Sequence, residues 1–265
     1  MLAVLLLAAW SLGPIALIVL SSVKPARDIF AMPPRWLFTP TLTHYAGLFQ
    51  KWPDFLGALL NSALVTAGAA ALAVAASTVS GYAHSRFRGR AMEGAALLLI
   101  VVRLIPPIVC TLPLFPLVNA LGLADTHAVL IVLYATFFVS LGTYVMRAFI
   151  DQVPRELDEA ASVDGAGRWT TLARIVAPVA APGMLAVAVF VIVYAWNEYL
   201  FAFIFTSRNA KTAPLVLAEM VGAFDGVDWG ILFAAGTVQL LPVLAFVLAM
   251  QRHLVAGLAA GATKG

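Results

Sequence analysis

The sequence predicts an all-α integral membrane protein with six transmembrane helices, and three observations support this. Of the 265 residues, 62% are hydrophobic and only 11% are charged, whereas soluble domains carry about 25% charged residues. Six segments are each long and apolar enough for a helix that crosses a hydrocarbon core about 30 Å thick. The alternating pattern of membrane strands is missing from the sequence, which favours helices over a barrel.

We predict one transmembrane domain over residues 1–265, beginning with a span rather than a cleaved signal. No Lys or Arg precedes Lys24, and no A-x-A cleavage site follows the first apolar run. The external loop 22–55 combines prolines with aromatic residues, which favours anchoring at the membrane surface, with docking of an external partner as the alternative. The predicted spans cover residues 1–21, 56–83, 94–116, 127–149, 179–205 and 230–250.

Spans two and three have compositions that predict how they pack. Span two is rich in small residues such as Thr66 and Gly68, which allow helix backbones to approach closely, either within the bundle or against a second subunit. Span three contains Pro106, Pro107 and Pro113. Since proline removes a backbone hydrogen bond, we predict a bent or broken helix whose free carbonyls line a cavity or meet a neighbour.

The basic residues predict the orientation of the chain, because short cytoplasmic loops carry an excess of Lys and Arg. Six basic residues lie on the side opposite to the predicted cytoplasmic side. Four of these are in the long loop 22–55, and long loops count for less in this rule. Both termini, including the tail 251–265, are therefore predicted to be cytoplasmic. Nine basic residues share the cytoplasmic side: Arg86, Arg88, Arg90, Arg147, Arg155, Arg168, Arg174, Arg252 and Lys264.

The loop 150–177, between spans four and five, is unusually polar for this chain. The window 147–174 holds nine of the 29 charged residues. Pro154 suits a first helical turn, and Gly165 can adopt the left-handed conformation that closes a helix. We predict a first short helix before Gly165 and a second from Arg168 to Val176, which ends before a proline.

The first short helix carries a small apolar face, which we interpret as a contact surface for a soluble partner. Leu157, Ala160 and Ala161 form this face, and the small alanine side chains permit close approach by a partner. Glu159 and Asp164 flank it and can pair with cations on the partner. The alternative is a solvated helix lying on the bilayer surface.

Residues 159–183 read EAASVDGAGRWTTLARIVAPVAAPG and resemble the cytoplasmic coupling loop of bacterial ABC importer permeases. The segments WNEYLFA at 196–202 and QRHLVAGLAAGATKG at 251–265 also resemble that family, in particular the carbohydrate-type second permease of maltose-like importers. Ala177 stands where the family usually has Leu. The family pattern is matched by Glu159, Ala160, Ala161, Gly165, Ile175 and Pro178.

The resemblance implies a type I ABC importer transmembrane domain in the bacterial plasma membrane, with a cytoplasmic coupling helix between spans four and five. The implied partners are a second permease chain, a cytoplasmic ATPase dimer that binds ATP and Mg, and an extracytoplasmic solute-binding protein. No nucleic-acid partner is expected. The implied ATPase-coupling residues are Glu159, Ala160, Ala161, Asp164, Gly165 and Lys264.

The sequence offers no catalytic, metal-binding or cofactor-binding set in this chain. It contains no G-x-x-x-x-G-K-[ST] loop to hold phosphates, and its four histidines are scattered. We therefore predict that the chain is not an enzyme and that its partner hydrolyses ATP.

Polar residues inside the spans are candidates for the translocation pathway, because an ionisable group there is costly and tends to face the bundle interior. Glu198 is the most suggestive, since aromatic residues adjoin it, although it could instead pair internally and orient helices. Arg103 could instead extend to an interface. The candidates are Arg103, Asn197, Glu198, Tyr199 and Gln239.

Together these features predict a permease subunit that forms half of an ATP-driven pathway for a sugar or sugar derivative. One alternative is an ABC permease for a non-sugar solute. An ion-coupled secondary transporter is less favoured, because the sequence shows no clear inverted repeat.

Overall fold

The computed structural model describes residues 1–224 and 226–262, and every regular element in those ranges is a helix. The all-α prediction is therefore confirmed. Four helices are long and apolar enough to cross a membrane, and two bent helix pairs raise the number to six if each pair forms one span. The four single helices cover Ala3–Ser22, Phe55–Arg86, His127–Ile150 and Trp229–Met250.

The helices follow one another with short connections over most of the chain. Apart from a π-helical turn at Leu172–Val176, these helices are α-helices. In chain order they are α1 (Leu2–Ser22), α2 (Ala26–Ile29), α3 (Thr43–Lys51), α4 (Phe55–Arg86), α5 (Arg90–Leu104), α6 (Pro107–Ala120), α7 (His127–Ile150), α8 (Glu156–Val163), α9 (Arg168–Thr171), α10 (Ala177–Val179), α11 (Ala181–Asn197), α12 (Leu200–Phe205), α13 (Ala213–Val221) and α14 (Trp229–Ala262).

Span three is broken, as its prolines predict. Helices α5 and α6 meet at an angle of 96°. Ile105 is extended, with ψ of 123°, because a residue before proline is disfavoured in the helical conformation. Pro107 begins α6, where its missing N–H needs no intrahelical partner.

Span five departs from the continuous helix predicted over residues 179–205. It bends by 79° between the segment Arg168–Val179 and α11, and it is interrupted again between α11 and α12. At the second interruption the Glu198 carboxylate accepts hydrogen bonds from the backbone N–H groups of Phe201 at 3.0 Å and Ala202 at 3.4 Å. The side chain thus replaces backbone acceptors and starts a new helix.

One further prediction from the sequence is corrected. The second short helix does not end before Pro178, because the π-helical turn just before it alters the local hydrogen-bond pattern and the chain stays helical to Val179. Helix α14 continues to Ala262, and its apolar membrane-span window, Trp229–Met250, agrees with the predicted span six. Two of the segments between spans contain short helices, α3 and α13.

The chain divides into two compact units, and the first comprises Met1–Asn61 with Lys211–Val247. Helices α3, α13, the start of α4 and the start of α14 share an apolar core there. Lys51 and Asp228 form an ion pair at 3.0 Å that joins the end of α3 to the residue before α14. The core centres on Leu48, Phe55, Ala58, Ala213, Val216, Met220, Ile231 and Ala235.

The second unit contains Ser62–Ala210, and close helix contacts dominate it. A Cβ placed on Gly81 of α4 would lie 2.7 Å from Met146 Cβ and 2.9 Å from the backbone nitrogen of Arg147. A Cβ on Gly68 of α4 would lie 2.7 Å from Ile131 Cδ1 of α7. The prediction that small residues in span two permit close packing is therefore confirmed within the chain.

Asp125 joins two loops of this unit. It has a positive φ of 57°, and its carboxylate accepts hydrogen bonds from four consecutive backbone N–H groups, residues 207–210, at 3.0–3.2 Å. Burial acts to raise the pKa of Asp125, but these N–H donors outweigh it and hold the pKa well below the usual range. The loop after α6 is thereby fixed to the loop after α12.

Candidate functional site

Helix α8 is a short, well-terminated helix in the polar loop. Three acidic residues in its first turn interact favourably with the positive end of the helix dipole. At its end the N–H of Ala166 bonds to the Ala161 carbonyl at 2.8 Å, and the N–H of Gly165 bonds to the Ser162 carbonyl at 3.1 Å. Gly165 has φ of 79°. This is a Schellman termination, so the prediction that Gly165 closes the first short helix is confirmed.

Arg86, at the end of α4, holds α8 in place. Its side chain is only 9% exposed. The guanidinium bonds to Asp158 of α8 at 3.0 Å and donates to the backbone carbonyls of Val153 at 3.0 Å and Ile150 at 3.4 Å. One buried cation thus connects the ends of α4 and α7 with the start of α8.

Neighbouring hydroxyl groups complete this connection. The Tyr82 hydroxyl donates to the second oxygen of Asp158 at 2.8 Å, and Ser85 Oγ donates to Asp151 at 2.6 Å. Both oxygens of Asp158 are therefore engaged. We call Tyr82, Ser85, Arg86 and Asp158 the clamp.

The sequence reasoning missed the clamp, although two signals were available. Arg86 belongs to the GYAHSR segment at the predicted cytoplasmic end of span two, and Asp158 directly precedes the E-A-A triplet. A cation and a carboxylate on the same side of the membrane are candidates for pairing. Their partnership was hidden because 72 residues separate them.

The predicted apolar face of α8 needs one correction. Ala161 is buried, with 5% exposure, so it does not share a solvent-facing surface with Ala160. The reason is that Asp158 is held against α4, and Ala161 lies three residues later on the same side of the helix. Glu159, Ala160 and Asp164 are exposed.

Large apolar side chains, which the sequence reasoning passed over, are exposed near α8. Val163 is 88% exposed and Trp169 is 71% exposed. Leu157, Ala160 and Val163 recur every three residues, so they lie close to one helix face. We call this face, together with Trp169, the docking surface. Exposed apolar groups around a helix end are typical of a surface that meets a partner.

Lys264 lies outside the described residues, so its predicted coupling role has no structural counterpart here. Within the described part of the chain, no cluster of three or more His, Cys, Asp or Glu side chains could hold a metal ion.

The candidate pathway residues fall into three places. Asn197, Glu198 and Tyr199 form the break in span five, where Tyr199 stacks on Phe203 with ring centres 5.4 Å apart. The Arg103 guanidinium of α5 lies 5.7 Å from the centre of the Phe137 ring. Gln239, the remaining candidate, lies on α14 in the first unit.

Asn197 and Glu198 already have local hydrogen bonds. The Asn197 amide donates to the Val193 carbonyl at 2.7 Å, and the Glu198 carboxylate caps α12. Both bonds replace backbone partners lost at the break. The structure therefore supports the interpretation that Glu198 orients helices, and a second role must be compatible with this cap.

Comparison with known proteins shows consistent similarities along the chain. Residues 73–259 match the family described as binding-protein-dependent transport system inner membrane component. The trehalose transport system permease protein SugB of Mycobacterium tuberculosis is 35% identical, covering 98% of this chain and 95% of SugB. The trehalose/maltose transport system permease protein MalG of Thermococcus litoralis is 31% identical, covering 89% and 88% of the two chains.

A solved structure resembles this fold over nearly its whole length. It belongs to a bacterial ABC transporter involved in the import of the acidic polysaccharide alginate. The TM-score is 0.78 and the identity is 20%, with 94% of each chain covered. At this identity, the likeness shows the fold, which is that of a type I importer transmembrane domain.

Proposed function

The chain belongs to the family of binding-protein-dependent transport system inner membrane components, and we propose that it forms half of a pathway that imports a sugar or sugar derivative. As a permease component of an ABC transporter, it is not the ATPase subunit. The two relatives above carry trehalose or maltose in their names, which supports a carbohydrate substrate. The observation that carries the coupling role is α8, an exposed helix fixed to α4 by the buried Arg86.

The proposed assembly follows from the family and from the distribution of charge. The chain spans the bacterial plasma membrane six times, with α5–α6 and α9–α12 as bent spans and both termini in the cytoplasm. It pairs with a second permease chain, above a cytoplasmic ATPase dimer that binds ATP and Mg. An extracytoplasmic binding protein delivers the solute.

In the proposed coupling step, α8 enters a cleft on the ATPase. The docking surface provides the apolar contact, while Glu159 and Asp164 offer carboxylates to cations on the partner. Since Arg86 and Tyr82 bind both oxygens of Asp158, movement of α8 is transmitted to the end of α4. Gly165 keeps the helix short and ends it at a fixed point.

Replacing Ala160 by Trp tests the coupling role. We expect uptake by the assembled transporter to fall at least about tenfold, because a bulky side chain in a packed interface costs roughly 1–3 kcal/mol. Uptake of radiolabelled trehalose, and co-purification of the ATPase, are measured in parallel. The matched control is Ala91→Trp, an exposed alanine near the start of α5, for which we expect a change of less than about twofold. Full uptake by Ala160→Trp would contradict the proposal.

We further propose that the span-five break contributes polar groups to the pathway, with Arg103 and Gln239 as additional lining candidates. Non-helical backbone at membrane depth is tolerated where it lies within protein or beside a water-filled cavity, so the break at Asn197, Glu198 and Tyr199 is expected to line such a cavity in the assembled transporter.

Glu198→Gln separates transport from capping, because glutamine keeps a carbonyl oxygen for the α12 N–H groups but loses the charge. We expect Glu198→Gln to reduce uptake severalfold with an unchanged melting temperature. Glu198→Ala, which also removes the cap, should lose about 1 kcal/mol of stability in addition. Wild-type uptake by Glu198→Gln would restrict this residue to a capping role.

A further inference from the structure

A cavity of about 570 Å³ is lined by Ser85 and Arg86 of the clamp, and no residue of 156–166 lines it. Its walls come from residues 84–89 at and after the end of α4, from the first turns of α5, from Arg147 near the end of α7, and from Asp151 and Arg155 before α8. Small-molecule sites have volumes of about 300–1,000 Å³. The cavity is therefore large enough for a ligand and is separate from the docking surface.

Positive charge predominates in the lining. Four arginines face two carboxylates, which gives a formal excess of 4 − 2 = +2. Arg86 is engaged by Asp158, and Arg147 lies 3.6 Å from Asp151. The remaining lining charges are Arg88, Glu93 and Arg155, and none of these has an ion-pair partner among the described residues.

We propose that this cavity binds a phosphate group, carried either by an anionic lipid headgroup or by a small soluble phosphate. Guanidinium groups match the geometry of phosphate oxygens and bind them in pairs. The volume leaves room for the substituent as well as for the phosphate.

The position of the cavity makes both sources physically accessible. Residues 84–89 directly follow span two, at the proposed cytoplasmic surface, where anionic headgroups of the inner leaflet and soluble phosphates are both available. The lipid source rests on that proposed orientation, whereas binding of a soluble phosphate does not. Because the walls include residues on both sides of the clamp, a bound phosphate would bridge the connection after α4 to the segment that leads into α8.

The test uses the purified transporter complex with two probes. Inorganic phosphate is titrated by calorimetry, and dioleoylphosphatidylglycerol is counted by native mass spectrometry against dioleoylphosphatidylcholine. The variant is Arg88→Gln, because Arg88 is exposed and unpaired, so its loss leaves the fold intact. The control is Arg90→Gln, which removes the same charge from a residue outside the lining.

We expect Arg88→Gln to weaken binding about tenfold, as for loss of one charged hydrogen bond, and Arg90→Gln to change it less than about twofold. Binding of phosphatidylglycerol alone identifies the lipid source, and binding of inorganic phosphate identifies a soluble one. Failure of both probes to bind overturns the proposal, and so does equal weakening by Arg88→Gln and Arg90→Gln. Neither readout depends on transport, so the proposal stands or falls separately from the import function.

Discussion

Replacing Arg86 by Met is expected to uncouple the transporter and to destabilise it by about 3 kcal/mol. The change leaves the Asp158 carboxylate and the carbonyls of Ile150 and Val153 without their shared donor, in a place where the Arg86 side chain is 9% exposed. Removal of one partner from a buried pair typically costs about 3–5 kcal/mol. The Asp158 side chain is 18% exposed, so we expect a loss of stability at the lower end of this range.

The uncoupling is measured as the number of substrate molecules imported per ATP hydrolysed in proteoliposomes. We expect this ratio to fall at least about fivefold in Arg86→Met, because α8 is no longer fixed to α4. Thermal unfolding of the purified complex gives the stability change. Arg90→Met removes an exposed arginine at the start of α5 and should leave both quantities unchanged.

A double-mutant cycle with Asp158→Asn tests whether the two side chains act together. If they form one unit, the double variant is little worse than Arg86→Met alone, with an interaction energy of about 1–3 kcal/mol. Strictly additive effects of Arg86→Met and Asp158→Asn would show that the clamp is not a functional unit.

Gly81→Val is expected to prevent normal assembly of the helix bundle. The added side chain would begin 2.7 Å from Met146 Cβ and 2.9 Å from the Arg147 backbone nitrogen. A backbone atom cannot rotate away, so α4 and α7 must separate, and overpacking of this kind costs about 1–3 kcal/mol or more. We expect strongly reduced accumulation of the chain in the membrane and a lower melting temperature.

Gly94→Val is the matched control for this prediction. Gly94 lies in α5, and a Cβ there would have no neighbouring atom within 4 Å. Accumulation of this variant should equal that of the wild type, since valine is no worse than glycine as a helix former. Normal accumulation of Gly81→Val would mean that α4 and α7 do not pack closely at this point.

The fold was largely predictable because the bilayer imposes a simple length and composition requirement on each span. Helices α1, α4, α7 and α14 follow from continuous apolar stretches, and the break in span three follows from Pro106. The orienting role of Glu198 was one of two interpretations of this carboxylate in an apolar stretch, but the break in the helix was not predicted. A side chain that accepts a hydrogen bond from the backbone N–H three residues later also signals the start of a helix.

The candidate site was predictable only in its local parts. Helix α8 and its termination at Gly165 depend on neighbouring residues, so the sequence was sufficient. The inward orientation of Ala161 depends on the bond between Asp158 and Arg86, and no periodicity within α8 reveals that bond. Tertiary pairing of distant charges therefore determined which face of the helix remains exposed.

The four backbone bonds to Asp125 have a consequence for the acidity of the surroundings in which the protein can work. A carboxyl whose pKa is lowered by folding stabilises the fold above its ordinary value of 3.8. That contribution declines as the pH falls below the ordinary value and is gone once the pH is below the lowered one. A cell that acidifies its medium to about pH 5 would leave these two loops joined. A connection made by a histidine side chain would already have changed at that pH, because an unperturbed histidine gains a proton below a pKa of about 6.5.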